Sequence, residues 1–355
     1  MHSNDSLAIK ICRVLCIFFM TYVHVNPGKD SWSGEIPDYL AYIGYFLSDL
    51  LGRGSVPALS VLGGYLAVSS AYQRCANWWQ YAKERFQTLI IPLITWNLVI
   101  ILISLFILWL TGTQTSVIRD LQPFDQITFW LILDRITAIN TGSATMALNF
   151  LRDIFICSLL LPLIMQLIKR FNVVALSTIW LLGLTWGFAP MVMRPNILMF
   201  YCVGIYLALQ SKQLIPSRAT IVKTLAALLT PLALVYFLPI DRADYAGNVT
   251  HTSLRLVVAT VFLIIAISLN RTHIGKLIGR FEPLAYLMFL SHQTIMLLFW
   301  GVWQLAFGKS LLWPYALFFI CAPFATLLVL VNLHKLLDCM PEHAQKIFTG
   351  KKIAA

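Results

Sequence analysis

Apolar residues run along this chain in stretches of about twenty, the length a helix needs to cross the hydrocarbon core of a bilayer. Such stretches fall near 8–25, 51–71, 88–110, 147–168, 173–190, 195–211, 220–239, 252–270, 283–307 and 311–335. The stretch 39–50 is also apolar and reads as re-entrant or interfacial. The pattern predicts an all-α integral membrane protein, a polytopic bundle of about ten transmembrane helices. No long linker, low-complexity block or repeat interrupts it. Residues 1–355 therefore read as one membrane domain with a polar tail from about 336 to 355.

Composition agrees with the pattern. Hydrophobic residues make up 59% of the 355 and charged residues 12%, about half the roughly 25% of soluble domains. The net charge of +11 invites a nucleic-acid partner, but its distribution removes that reading. Cations gather in alternate loops: Arg74, Lys83 and Arg85; Lys169 and Arg170; Lys212, Arg218 and Lys223; Arg271, Lys276 and Arg280. Lys335, Lys346, Lys351 and Lys352 continue the series at the C-terminal end. The intervening loops hold most of the acids, among them Asp30, Glu35, Asp38, Asp120, Asp125, Asp241 and Asp244. Basic loops stay in the cytoplasm, so both termini are expected inside and the spans even in number. The lipid bilayer is the partner this charge implies, with no nucleic acid.

Lys10 and Arg13 precede the first apolar run as in a signal peptide, but the run ends in TYVHVNPG without a small-residue cleavage site. It is expected to be retained as a span. Of the seven cysteines, Cys12, Cys16, Cys157, Cys202 and Cys321 fall within spans, and Cys75 and Cys339 on the expected cytoplasmic side. None has metal-site spacing and no disulfide framework is visible. The eleven tryptophans read as interfacial anchors.

An ionisable residue inside a span is a functional candidate, because burying it is costly unless it meets a partner or a cavity. Arg13 and His24 lie eleven residues apart in the first span. On a regular α-helix that spacing returns to within about 20° of one face and separates them by about 16 Å. One face then carries a fixed cation near the cytoplasmic end and a titratable base near the outer end. The plain alternative is that Arg13 snorkels to lipid phosphates while His24 caps the interface. His292 sits in EPLAYLMFLSHQTIML between Ser291 and Gln293, with Glu282 at the mouth of that span. A histidine hydrogen-bonded between helices is the structural alternative there. Arg152 and Asp153 open the fourth span, where adjacent opposite charges commonly neutralise each other; Asp49 and Arg53 flank the second. No HExxH, GxSxG or phosphate-cradling glycine loop occurs, and no metal site is expected.

Four places in order resemble the acyltransferase-3 family of membrane proteins, which acylate bacterial surface and secreted glycans. They are the Arg13–His24 pair, the segment PALSVLGGY (57–65), the basic segment AKERFQTLIIP with Arg85, and FLSHQTIML with His292. NFLRDIFICSLLLP resembles a further element of the family. Gly63 replaces the family's serine, Leu59 and Ser60 its phenylalanines, and Thr88 stands at its second arginine. The resemblance covers nearly the whole chain and implies a membrane O-acyltransferase in a bacterial cytoplasmic membrane. It would move an acyl group, acetyl or succinyl, from cytoplasmic acyl-CoA to a hydroxyl of an exopolysaccharide or other surface glycan, free or lipid-linked. No bound cofactor is implied; acyl-CoA is a substrate. His24 would be the general base, Arg13 would recognise the donor, and Lys83 and Arg85 would hold the CoA phosphates. Asp49, Arg53, Arg152, Asp153, Glu282 and His292 remain further intramembrane candidates. The competing class is a transporter or flippase of a lipid-linked sugar or organic anion, which would line a path with the same residues. No internal half-repeat supports it.

Overall fold

A computed structural model describes residues 3–25, 38–75, 77–112, 115, 117, 128–140, 142–210, 245–308 and 312–350. The expected span 220–239 lies outside these residues. So do Asp30, Glu35, Asp120, Asp125, Asp241, Asp244, Lys212, Arg218, Lys223, Lys351 and Lys352. Among the described residues the regular structure is helical, and the β-type pairing recorded is an isolated bridge, Phe188–Val192. Helices satisfy every backbone group within one segment, which lipid cannot do for them.

Helix α1 (Ser3–Thr21) ends in a 3-10 turn, Tyr22–His24. Helix α2 (Asp38–Gly44) continues through π-helical turns (Tyr45–Gly52) into α3 (Arg53–Leu66), which ends in a second π-helical stretch (Ala67–Ala71). Helix α4 (Trp78–Arg85) leads through π-helical Phe86–Ile90 into α5 (Ile91–Thr111). Gly112 closes α5 in the left-handed conformation, φ 66°, where a side chain would be strained. Then come α6 (Phe129–Thr137), α7 (Asn149–Leu159), α8 (Leu161–Phe171), α9 (Val173–Thr185) and α10 (Pro195–Leu209). Helices α11 (Tyr245–Leu269), α12 (His273–Gly279), α13 (Glu282–Phe307), α14 (Leu312–Asp338) and α15 (Glu342–Thr349) complete the order.

Five helical runs are long and apolar enough to cross a membrane: Ser6–His24, Trp78–Thr111, Val249–Leu269, Glu282–Phe307 and Pro314–Asp338. They match five of the expected spans. The expected span 147–168 is instead a pair, Met146–Leu159 and Leu161–Phe171, bent by 60°, with Pro162 in the first turn after the break. The spans expected at 173–190 and 195–211 shrink to helices of 13 and 15 residues, and 13 residues reach only about 20 Å. The span expected at 51–71 is helical, but π-helical turns bracket a central α-helix of 14 residues. The apolar stretch 39–50 is helical and joins that run. Length and composition thus identify five crossing helices among the described residues, or six with the bent pair counted as one.

The backbone contacts divide the chain into two compact units. The first comprises Met1–Val23, Tyr42–Ala82 and Ile156–Ala285. Its core joins Ile11, Cys12 and Cys16 of α1 to Ala58 and Leu62 of α3 and to Val258, Ala259, Phe262 and Ala266 of α11. Lipid tails are as apolar as these side chains, so close packing rather than escape from water holds such helices together. Small residues make that packing possible. A Cβ on Gly64 would run into the carbonyl of Tyr201 in α10, and one on Gly204 into the carbonyl of Val61 in α3. Within PALSVLGGY, Gly64 lets α3 and α10 touch backbone to backbone.

The second unit comprises His24–Ala41, Lys83–Phe155 and Tyr286–Ala355. Here α13 meets α14 through aromatic rings, Trp300 standing edge-on to Tyr315 at 5.9 Å. The segment expected as a polar tail includes α15, which packs on α5: the Trp96 indole donates to the Phe348 carbonyl at 3.0 Å. The Tyr286 hydroxyl donates to the Thr88 carbonyl.

Candidate active site

In the first unit, Arg13 Nη1 donates to Glu282 Oε1 at 2.7 Å, with both side chains partly buried. A single contact engages one of five guanidinium N–H groups, so the arginine is anchored without being used up. Asp49 and Arg53, one turn apart at the entry to α3, pair at 2.9 Å through Arg53 Nε. The π-helical turns carrying Asp49 leave wider backbone rings than an α-helix, a feature found often at functional sites.

The second unit holds His24 and His292. The ring centroids are 5.2 Å apart and the planes tilted by 55°. His292 is fully buried. Its Nδ1 lies 2.9 Å from the carbonyls of Met288 and of Phe289, both on its own helix. A carbonyl only accepts, so Nδ1 must carry the hydrogen, and Nε2 is left as a lone pair. That Nε2 is buried and meets no hydrogen-bond partner. The bond between helices, expected if His292 were only structural, is not what its Nδ1 makes. His24 itself closes the 3-10 turn after α1. The turn that carries His24 thus departs from the α-helical rotation on which a shared face with Arg13 was expected.

A buried polar seam lies beside the histidines in the same unit. Asn97 of α5 donates to the Ile136 carbonyl at 2.9 Å and accepts from Ser143 Oγ at 2.7 Å and Thr145 N at 3.0 Å. Asn149 accepts from Ser143 N at 2.7 Å. Gln293, next to His292, accepts from Ala147 N at 3.2 Å. Arg152 pairs with buried Asp153 at 2.9 Å and also donates to the Ile139 carbonyl at 3.1 Å. Together these contacts tie the connection between α6 and α7 to the helices. Lys83 is exposed and Arg85 half-buried where α4 runs into α5.

Sequence reasoning passed over Asn97, Ser143 and Thr145. An asparagine inside IPLITWNLVI was a usable signal, since polar side chains inside spans bond across helices. It also passed over His251 and Arg255, ionisable residues in the opening turns of a crossing helix.

Long apolar helices carrying ionisable side chains, among them fully buried His292, half-buried His24 and the ion-paired Arg13, define an integral membrane protein. Residues 6–333 match the profile of the acyltransferase-3 family, described as an acyltransferase domain, and the chain belongs to that family. The protein is an acyltransferase of groups other than aminoacyl groups. It is 28% identical over 379 residues to the succinoglycan biosynthesis protein ExoH of Rhizobium meliloti (strain 1021), covering 100% of this chain and 95% of that protein. No solved structure matches it.

Proposed function

We propose that the protein is an exopolysaccharide O-acyltransferase, moving an acetyl or succinyl group from cytoplasmic acyl-CoA to a sugar hydroxyl on the outer side of the bacterial inner membrane. Family membership and the likeness to a succinoglycan biosynthesis protein support the substrate class. The observation that carries the mechanism is the unpartnered Nε2 of His292 against His24. The sugar oxygen attacks the thioester carbonyl while its proton passes to His24. The carbon–sulfur bond breaks, and the departing CoA thiolate takes that proton. His292 Nε2, a lone pair fixed by the two carbonyl contacts on Nδ1, accepts the N–H of His24 and presents the other His24 nitrogen to the hydroxyl. Such a bond tightens in the substrate complex, because apo catalytic contacts are often long. Arg13, anchored by Glu282, keeps N–H groups for the donor, and Lys83 and Arg85 meet its phosphates. Ten spans with both termini cytoplasmic complete this reading, supported by the alternation of basic loops.

Purified protein in detergent with isotopically labelled acyl-CoA and acceptor glycan tests the reaction. Label should move from thioester to glycan ester; a protein that neither transfers nor hydrolyses the label ends the proposal. Cysteine labelling near residues 80 and 275 tests the topology, and modification from outside intact cells would reverse it.

A further inference from the structure

Asn97 lies within the apolar helix α5 and is fully buried. Its oxygen accepts from Ser143 Oγ and Thr145 N, and its amide donates to the Ile136 carbonyl. These partners belong to α6 and to the connection that follows it, so one side chain fastens that connection to α5. The fastened connection in turn grips α13 at two places. Ala147 N donates to Gln293 Oε1 at 3.2 Å. Phe150, in the first turn of α7, stands edge-on to Phe289 with ring centroids 5.6 Å apart. Asn149 beside it accepts from Ser143 N, which joins this turn to the same hydrogen-bonded cluster. Phe289 and Gln293 are four residues apart and share one face of α13, and His292 points about 60° from Phe289. Phe289 also meets His292 directly, ring to ring at 6.4 Å and through its carbonyl, 2.9 Å from Nδ1. The contacts that hold α13 thus flank the residue whose Nε2 is buried without a hydrogen-bond partner.

We propose that Asn97 is a positioning residue for His292: it fastens the connection, the connection fixes the rotation of α13, and that rotation aims Nε2. The part Nε2 plays in the chemistry rests on the function proposed above. Asn97 acts through Ala147 and Gln293, and through Phe150 and Phe289, rather than by touching a reactant. Apolar packing would also hold α5 to its neighbours, but hydrogen bonds are directional and so fix orientation more narrowly.

The test uses the full-length protein in lipid nanodiscs. Asn97→Leu keeps most of the side chain's bulk and removes its hydrogen bonds. Gln293→Leu cuts the link to Ala147 and leaves Asn97 in place. Donors are labelled acetyl-CoA and succinyl-CoA, and the acceptor is unacylated exopolysaccharide from cells lacking the protein. Asn97→Leu should lower kcat by about ten-fold and Gln293→Leu by less, with donor KM nearly unchanged. In a His292→Leu background each should cost less than about two-fold further, because the group they aim is gone. Losses that multiply independently of His292, or full activity in folded Asn97→Leu, overturn the proposal. A second measurement needs no turnover: solid-state nitrogen-15 NMR of histidine-labelled protein, with the His292 signals assigned by their loss in His292→Leu. Asn97→Leu should shift those signals while thermal unfolding shows a folded protein, and unchanged signals overturn the positioning role. Where Asn97→Leu does not fold, Gln293→Leu carries both measurements. The NMR involves no acyl transfer, so it stands or falls separately from the acyltransferase assay.

Discussion

Arg13 and His292 are both polar groups set among apolar helices, and the fold treats them differently. Arg13 in the first unit has a carboxylate at 2.7 Å. His292 in the second has one nitrogen doubly engaged and the other buried without a partner. A buried polar atom without a partner costs about 1–3 kcal/mol. An apolar side chain would avoid that cost, and on the proposed mechanism the hydrogen bond from His24 would offset it. A satisfied ion pair, by contrast, fixes a position. On the proposed mechanism the histidine pair would carry the chemistry and the Arg13–Glu282 pair the recognition.

The largest expected effect tests the chemical side. His24→Gln should lower acylated glycan, per unit of inserted protein, by at least about 100-fold, the lower range for losing a general base. Near-normal acylation would move the base to His292. Next comes His292 itself. His292→Leu removes the acceptor for the His24 N–H and should cost about ten-fold or more in kcat, the worth of one hydrogen bond. His292→Gln keeps an acceptor oxygen and should recover part of the loss. Equal activity in the two variants would reduce the residue to packing.

Smaller effects test the recognition side. Arg13→Gln should raise the apparent KM for acyl-CoA by about ten-fold with a lesser change in kcat, since a contact made equally in ground and transition states alters binding alone. Glu282→Gln should shift the same constant less, because it loosens the arginine without removing it. A fall in kcat alone would place Arg13 in the chemistry. The smallest change is expected for Lys83→Ala with Arg85→Ala. Contacts to phosphates near water are weak and screened, so donor KM should rise only a few-fold and more at low salt. An unchanged constant at low salt would remove this segment from the donor site.

How far the sequence was legible can be seen at these same residues. Apolar length located α1, α5, α11, α13 and α14, because only a bilayer favours runs of about twenty residues with so few charges. At 173–190 the apolar composition outlasts the helix, which ends at Thr185, whereas at 195–211 the helix fills nearly the whole stretch but is short for a crossing. Helix ends depend on turns such as Gly187 at φ 71° and the bridge Phe188–Val192, which hydropathy does not register. Arg13, His24 and His292 were visible as ionisable residues in spans. Their pairing was not, since periodicity describes one helix at a time, and the 3-10 turn at His24 changed the direction that periodicity assigned. The polar seam escaped because Ser143 and Thr145 sit in a connection, where polar residues attract no notice.

That seam bears on the order in which the protein can be assembled. Thr145 bonds to a residue 48 positions earlier, and Ala147 to one 146 positions later. Contacts between distant residues must wait for the chain between them. During synthesis the connection between α6 and α7 can meet Asn97 as soon as it emerges, but it stays half-fastened until α13 has been made and inserted. The histidine partner of His24 arrives on that same helix. Insertion of α13 therefore sets both contacts at once, so a nascent chain stalled before residue 282 would carry an unfastened connection and no His292.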